Sequence, residues 1–136
     1  MQVTLVTLSG IQFSEEAKEV RLATPLGAMV VLAHHEPITA VTSPGPVTII
    51  TNDGKEELFA SFGGMMEVSD NSVRLLLDEV DHAKDLVESD IKAALEAAKQ
   101  QKAKAKDQTE LAEAQRLIDR QAIRLEVAQI RRKYRG

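Results

Sequence analysis

The 136-residue chain has room for one ordinary domain, or one compact domain with an appendage, and excludes two large independent ones. With 17 basic against 21 acidic residues it carries net −4, so the molecule as a whole has no electrostatic reason to gather on nucleic acid or anionic lipid. The absence of cysteine excludes disulfides, thiolate catalysis and thiolate zinc sites, and no stretch reaches the roughly 18 apolar residues of a membrane-spanning helix.

The charge is divided unevenly. Residues 1–84 hold 5 basic and 12 acidic side chains, net −7, while residues 85–136 hold 12 and 9, net +3. The opening "MQVTLVTLSGIQFSEEAKEV" has neither a basic leader before an apolar run nor a small-residue cleavage site, so no secretory signal is expected.

Up to about Val80 the chain consists of short runs rich in Val, Ile, Thr and Phe: "VTLVTL", "EVRLAT", "AMVVLA", "TAVTS", "PVTIIT", "ELFASF", "MMEVS" and "SVRLLLDEV". Turn residues separate them at Ser9-Gly10, Pro25-Leu26-Gly27, Ser43-Pro44-Gly45-Pro46, Asn52-Asp53-Gly54, Gly63-Gly64 and Asp70-Asn71-Ser72. The Asp53-Gly54 pair suits a type I′ hairpin, whose two central residues both need positive φ. About eight strands with turns every ten residues or so predict a small β sandwich or barrel. Met29, Met65 and Met66 read as filler of its core in preference to an adaptable interface on a sheet face, which methionine also suits.

After Val80 no Gly or Pro occurs until Gly136. Ile91, Ala94, Leu95, Ala98 and Ala105 keep helical spacing, with Ser89 or Asp90 as the expected N-cap. The polar "QQKAKAKDQTE" interrupts this stripe, and Asp107 with Glu110 has the spacing of a capping box for a second helix. A helical hairpin and a nearly continuous rod both fit these residues. Along the second helix Arg116, Arg120, Arg124, Arg131 and Arg135 fall within an arc of roughly 100°, with Leu111, Ile118, Ala122 and Leu125 opposite. Dipole complementation accounts for cations near the helix end but not for Arg116, Arg120 and Arg124. Arginine in place of lysine favours paired recognition of carboxylates or phosphates.

No phosphate-cradling GxxxxGK[ST] loop or GxGxxG turn is present. His34 and His35 are adjacent, so on a strand they point to opposite faces; with His82 they would need a special bend to share a metal, and none is assigned. No serine has a base-and-orienter context, and the acidic pairs Glu15-Glu16, Glu56-Glu57 and Asp78-Glu79 read as solvated strand ends and turns. Residues 114–136 carry 7 basic and 2 acidic side chains, but Tyr134 is their one aromatic, which leaves nucleic acid no stacking platform. No catalytic constellation emerges. A non-enzymatic interaction protein is expected, one such reading being a scaffolding or chaperone-like β domain with a helical hairpin.

In order along the chain, the β-rich half, the segment "LGAMVVLAHHEPITAV", then "FASFGGMMEVSDNSVRLLLDEVDHAKDL" and a helical tail resemble the epsilon-subunit family of the bacterial and chloroplast rotary ATP synthase. The resemblance spans essentially the whole chain and is most specific over residues 63–83. Gly27, His35 and Pro37 fall on the family's Gly, His and Pro, whereas Val30 stands where a second glycine is usual and Ala33-His34 where Pro-Gly is usual.

The resemblance implies an α+β protein: a sandwich of about ten short strands over residues 1–84, followed by an antiparallel two-helix hairpin over residues 85–136. The sandwich would sit at the foot of the central stalk, gripping the gamma subunit and touching the c-ring, with Gly27, His35, Glu36 and Pro37 near these contacts. The hairpin would be an auto-inhibitory switch. Folded it permits turnover; extended along gamma it blocks ATP hydrolysis, with Arg116, Arg120, Arg124, Arg131 and Arg132 against an acidic segment of the catalytic beta subunits, alpha being a further partner. Such a subunit couples proton flow to ATP synthesis, has no catalytic residue, metal or cofactor, and meets the membrane only through its complex, on the cytoplasmic face of a bacterial inner membrane or the stromal face of a thylakoid. Some members hold ATP through an Ile/Leu-Asp-x-x-Arg-Ala pattern and arginines of the second helix. Here Ser89 stands at the aspartate, Lys92 at the arginine and Ala93 at the alanine, so at most weak ATP binding through Lys92, Ala93, Arg120 and Arg124 is implied.

Overall fold

The computed structural model describes residues 1–135, with side chains through residue 133. Two compact units, Met1–His82 and Ala83–Gly136, divide the chain two residues before the expected boundary.

The first unit contains nine strands among the described residues, in line with the expected ten or so: β1 (Gln2–Thr7), β2 (Gly10–Thr24), β3 (Gly27–Leu32), β4 (Ile38–Thr42), β5 (Gly45–Thr51), β6 (Glu56–Ser61), β7 (Gly64–Ser69), β8 (Ser72–Leu77) and β9 (Val80–His82). β2 has 15 residues and joins two leaves. Its first half pairs with β1, in the leaf β4-β7-β8-β1-β2; its second half lies between β3 and β5, in the leaf β3-β2-β5-β6-β9. The register slips between Ala17 and Glu19, a bulge that turns the strand from one leaf to the other. β1 and β8 run parallel, and the other pairs are antiparallel.

Strand residues alternate between faces, so every second side chain points between the leaves. Val3 and Leu5 of β1, Val73, Leu75 and Leu77 of β8, and Met66 and Val68 of β7 meet Val20 and Leu22 of β2, Val31 of β3, Val47 and Ile49 of β5 and Phe59 of β6 in one buried cluster. Phe13 packs edge-on to Phe59, with ring centroids 5.4 Å apart. The type I′ geometry expected at Asp53-Gly54 occurs instead between β7 and β8, where Asp70 and Asn71 have φ of 50° and 57°. In the longer β5–β6 loop, Thr51 accepts the Lys55 N–H on its hydroxyl, and Gly54 alone has positive φ. Gly64 begins β7 against β8 so tightly that a Cβ there would lie 2.0 Å from the Leu76 carbonyl oxygen.

The second unit opens with a 3-10 turn (Ala83–Asp85) and contains α1 (Glu88–Ala103) and α2 (Gln108–Arg135). α1 starts before the expected Ser89 or Asp90 cap: Val87 occupies the N-cap without a side-chain bond, and Glu88 and Asp90 fall in the first turn. There their charges favour the positive end of the helix dipole. The hairpin, not the rod, is formed. Lys104 caps α1 by donating its N–H to the Gln100 and Gln101 carbonyls. The capping box at the start of α2 forms on one side as expected, the Glu110 N–H reaching Asp107 Oδ1 at 2.8 Å; the return bond to Glu110 comes from the Lys106 N–H, at 2.8 Å, one residue earlier than the usual box.

The helices meet along a thin seam. On α1 Ile91 and Ala98 are buried with Leu95 half-buried; on α2 Ala114 and Ala128 are buried and Ile118, Gln121 and Leu125 half-buried, at spacings of four and three. Of the face expected on α2, Ile118 and Leu125 join the seam, while Leu111 and Ala122 are exposed. Alanine at Ala98, Ala114 and Ala128 replaces bulk, so the apolar face is narrower than the leucines suggest.

Candidate functional site

Two sets of side chains stand out once the elements are placed: an apolar row on the outer face of the first leaf, and the cations of α2. The row is built by register. Val41 of β4 lies opposite Met65 of β7, Met65 opposite Leu76 of β8, Leu76 opposite Val6 of β1, and Val6 opposite Ile11 of β2. Val6, Val41, Met65 and Leu76 point away from the core because their strand neighbours point into it, and Ile11 joins them past the register slip between Leu5 and Val6, where Gly10 and Gln12 are exposed as well. Ile11 is 68% exposed, Val41 57% and Met65 43%, and Val6 and Leu76 are half-buried. The adjacent cross-strand row is polar, with Thr39, Glu67, Arg74, Thr4 and Ser14. A continuous apolar line across five strands, bordered by polar residues, marks a surface for another protein.

Sequence reasoning missed this row. The expectation that Met65 and Met66 both fill the core is corrected: Met66 is fully buried, and Met65, its neighbour on the same strand, necessarily faces outward. The available signal was apolar residues at outward positions of β1, β4, β7 and β8, but their alignment depends on registers set by long-range pairing. Ile11 lies in the first half of β2, whose polar run "QFSEEAK" does not read as a strand.

The four residues assigned to rotor contacts do not form one patch. Gly27 begins β3 at the β2–β3 turn, where Thr24 donates its hydroxyl to the Gly27 carbonyl at 2.8 Å. His35, Glu36 and Pro37 follow the other end of β3, so about 20 Å of extended strand separates the two sets. His34 lies in a turn and His35 in the loop that follows it, neither on a strand. His34 has φ 63° and donates its N–H to Asn71 Oδ1 at 2.8 Å, which ties this turn to the β7–β8 hairpin. His35 is half-buried with Nδ1 2.7 Å from the Glu36 carbonyl oxygen, while Glu36 and Pro37 are exposed. The apolar row lies toward the opposite end of β4, where the Ser43 N–H reaches back to the Ala23 carbonyl near the Gly27 turn.

His82 is removed from the other histidines by its role in β9. Its Nε2 is 2.5 Å from Glu57 Oε2, and its ring packs edge-on to Phe59 at 4.8 Å. Lys55 Nζ holds the other oxygen of Glu57 at 3.0 Å. Burial alone would push the Glu57 carboxyl up, but the bonds from His82 and Lys55 outweigh it and leave the group below its ordinary range. Among the described residues no group of three His, Cys, Asp or Glu side chains is placed to hold a metal ion.

On α2 the arginines occupy distinct environments. Arg116 is exposed, whereas Arg120, Arg124 and Arg131 are half-buried on the arc that also contains the fully buried Val127. The arc is therefore not a uniformly solvated rail. Arg132 points elsewhere: its guanidinium lies 3.2 Å from Glu88 Oε1 at the start of α1, beside Lys92 Nζ at 3.3 Å. Of the four residues implied for ATP, Lys92 is thus engaged by Glu88 and Ala93 is exposed on α1, while Arg120 and Arg124 lie on α2. Arg135, the last of the expected arc, has its side chain outside the described residues.

The profile of the ATP synthase Delta/Epsilon chain beta-sandwich domain matches residues 1–83. The chain belongs to the ATP synthase epsilon-chain family. It is 32% identical over 132 residues to the ATP synthase epsilon chain of Herpetosiphon aurantiacus, covering 97% of this chain and 96% of the relative. The Mesorhizobium japonicum epsilon chain is 31% identical over 84% of both chains, and that of Bordetella petrii 36% identical over 82% of this chain and 79% of the relative. In fold the chain is similar to a chain in the cryo-EM structure of the Euglena gracilis mitochondrial ATP synthase, OSCP/F1/c-ring, with TM-score 0.73, 21% identity and coverage of 98% of this chain and 80% of that one. It is also similar to a chain in the Tetrahymena thermophila mitochondrial ATP synthase central stalk and c-ring, with TM-score 0.59, 18% identity and coverage of 94% and 96%. Among the described residues no helix is long and apolar enough to cross a membrane.

Proposed function

We propose that this epsilon-family chain is a non-catalytic central-stalk subunit of a proton-translocating ATP synthase, that its sandwich grips the gamma subunit through the row Val6, Ile11, Val41, Met65 and Leu76, and that its helical unit restrains ATP hydrolysis. The row carries the reading: a sandwich that works alone has no use for an exposed apolar line of this length, whereas a subunit that must rotate with a shaft needs a dry, shape-matched grip. Support also comes from the similar structures, which are of F1/c-ring and central-stalk assemblies.

Within this reading the exposed Glu36 and Pro37, with His35, face the polar loops of the c-ring, and Gly27 borders the gamma grip. Arg116, Arg120, Arg124, Arg131 and Arg132 meet carboxylates of the catalytic beta subunits when the hairpin opens, and oppose rotation in the hydrolysis direction. Any hold of the closed hairpin on ATP is weak, because Glu88 already occupies Lys92. The subunit is held at the face of the coupling membrane that carries the catalytic head, by protein contacts rather than by lipid. The test is assembly: added to an ATP synthase stripped of its epsilon subunit, the full chain binds stoichiometrically to complexes containing gamma and the c-ring. Failure to bind any gamma-containing complex would refute the proposal.

A further inference from the structure

Glu88 is the feature that the proposed function leaves unexplained. Its side chain is 20% exposed, and Oε1 is buried without a hydrogen bond of good geometry, yet two cations approach that atom, Lys92 Nζ at 3.3 Å and Arg132 at 3.2 Å. Lys92 is one turn along the same helix, and such a pair stabilises α1 itself. Arg132 is different, since it comes from the last turns of α2, 44 residues away in the chain. A desolvated carboxylate is tolerable only while its cations stay in place, so the pair and the closed hairpin depend on each other.

The rest of the hairpin makes this contact matter. Its connecting turn fixes one end through the Lys104 cap and the Asp107–Glu110 box, reinforced by Lys102 Nζ to Gln115 Oε1 at 2.7 Å. At the far end the seam has run down to Ile91 and Ala128, and alanine contributes little apolar area there. At this end, remote from the turn, α2 also meets the 3-10 turn Ala83–Asp85 and buries Val127, and Glu88–Arg132 is an ion pair that joins the start of α1 to the last turns of α2.

We propose that Glu88 is an internal counter-ion that latches the hairpin shut by holding Arg132, and so withholds this arginine from an acidic partner until the hairpin opens. The withholding rests on the braking role proposed above; the latch itself does not. A partner's carboxylates would take over the place of Glu88 on Arg132, and closure would follow the chain's own charges without a bound nucleotide.

Amide hydrogen exchange on the isolated full-length protein tests the latch. In Glu88→Gln, amides of α2 around Val127 and Ala128 exchange about three- to tenfold faster, Arg132→Gln gives the same change, and the double variant is no faster than either single one. The charge-swapped pair Glu88→Arg with Arg132→Glu restores protection. If exchange changes only in α1, Glu88 merely serves the helix dipole and the latch is refuted; it is also refuted if the two single effects multiply. Should Glu88→Gln fail to fold, the unmodified chain decides: raising salt accelerates exchange at the same α2 amides, and salt-independent exchange overturns the proposal. In the assembled enzyme Glu88→Gln deepens inhibition of hydrolysis several-fold and Arg132→Gln abolishes that gain. Faster exchange without deeper inhibition would overturn the withholding and leave the latch standing, so the two readings fail separately.

Discussion

Replacing Ile11, Val41 and Met65 together with serine should detach the sandwich from gamma without unfolding it. Full burial of each such side chain is worth about 1.5–3 kcal/mol, and the part still exposed in the free chain is 68% for Ile11, 57% for Val41 and 43% for Met65. Scaling the first by the second gives about 2.5–5 kcal/mol of docking energy, or a rise in Kd of roughly 70-fold or more. The side chains point outward from strands whose inward neighbours build the core, so chemical denaturation of the free variant should shift little. Titrating wild type and triple variant into gamma-containing complex stripped of epsilon, by surface plasmon resonance or calorimetry, reads the loss directly. Affinity unchanged within threefold, in a variant that melts like wild type, would refute the grip assigned to this row.

Two further outcomes concern the sandwich itself. Gly64→Ala should destabilise the protein by about 2–4 kcal/mol in urea, because the new Cβ meets backbone, 2.0 Å from the Leu76 oxygen and 2.9 Å from the Leu77 Cα, rather than a side chain able to move. A midpoint within error of wild type would show that β7 and β8 can part cheaply. Glu57, with its carboxyl held below the ordinary range, contributes stability that is fully present above its unfolded pKa and is lost as pH falls through the lower, folded value. Thermal melts of wild type should therefore weaken on acidification below about pH 4.5, and Glu57→Gln should flatten that acid limb; an equally steep limb in the variant would place the titration elsewhere.

What the sequence makes legible follows the range of each interaction. The runs around Val3, Val20, Ile49 and Val73 alternate or are dense in branched residues, and their strands lie where turn chemistry sets their ends. Capping at Asp107 is local and appears in the structure, with only the return bond displaced to Lys106. The Asp53-Gly54 turn was misread because loop length decides which pair adopts type I′ geometry, and the two-residue connection is at Asp70-Asn71. The first half of β2 is polar on its exposed side and recruited by β1, a tertiary effect that propensity does not carry.

The candidate site was less legible than the fold for the same reason. The arginine spacing on α2 is visible in the sequence, but the inward turn of Arg132 toward Glu88 depends on how two helices pair across a turn of a few residues. The apolar row needs four registers at once. Gly27 and His35 are close in the sequence motif, yet an extended strand holds them at opposite ends.

ATP hydrolysis by the parent complex, reconstituted once with the full chain and once with a chain ending at Asp85, tests the division of labour most directly. The truncated chain retains the whole buried cluster of the sandwich. The account predicts that it still binds and still couples proton flow to ATP synthesis, while hydrolysis rises several-fold for want of the arginine helix. Equal hydrolysis with the two chains, both fully bound, would contradict the braking role of α2.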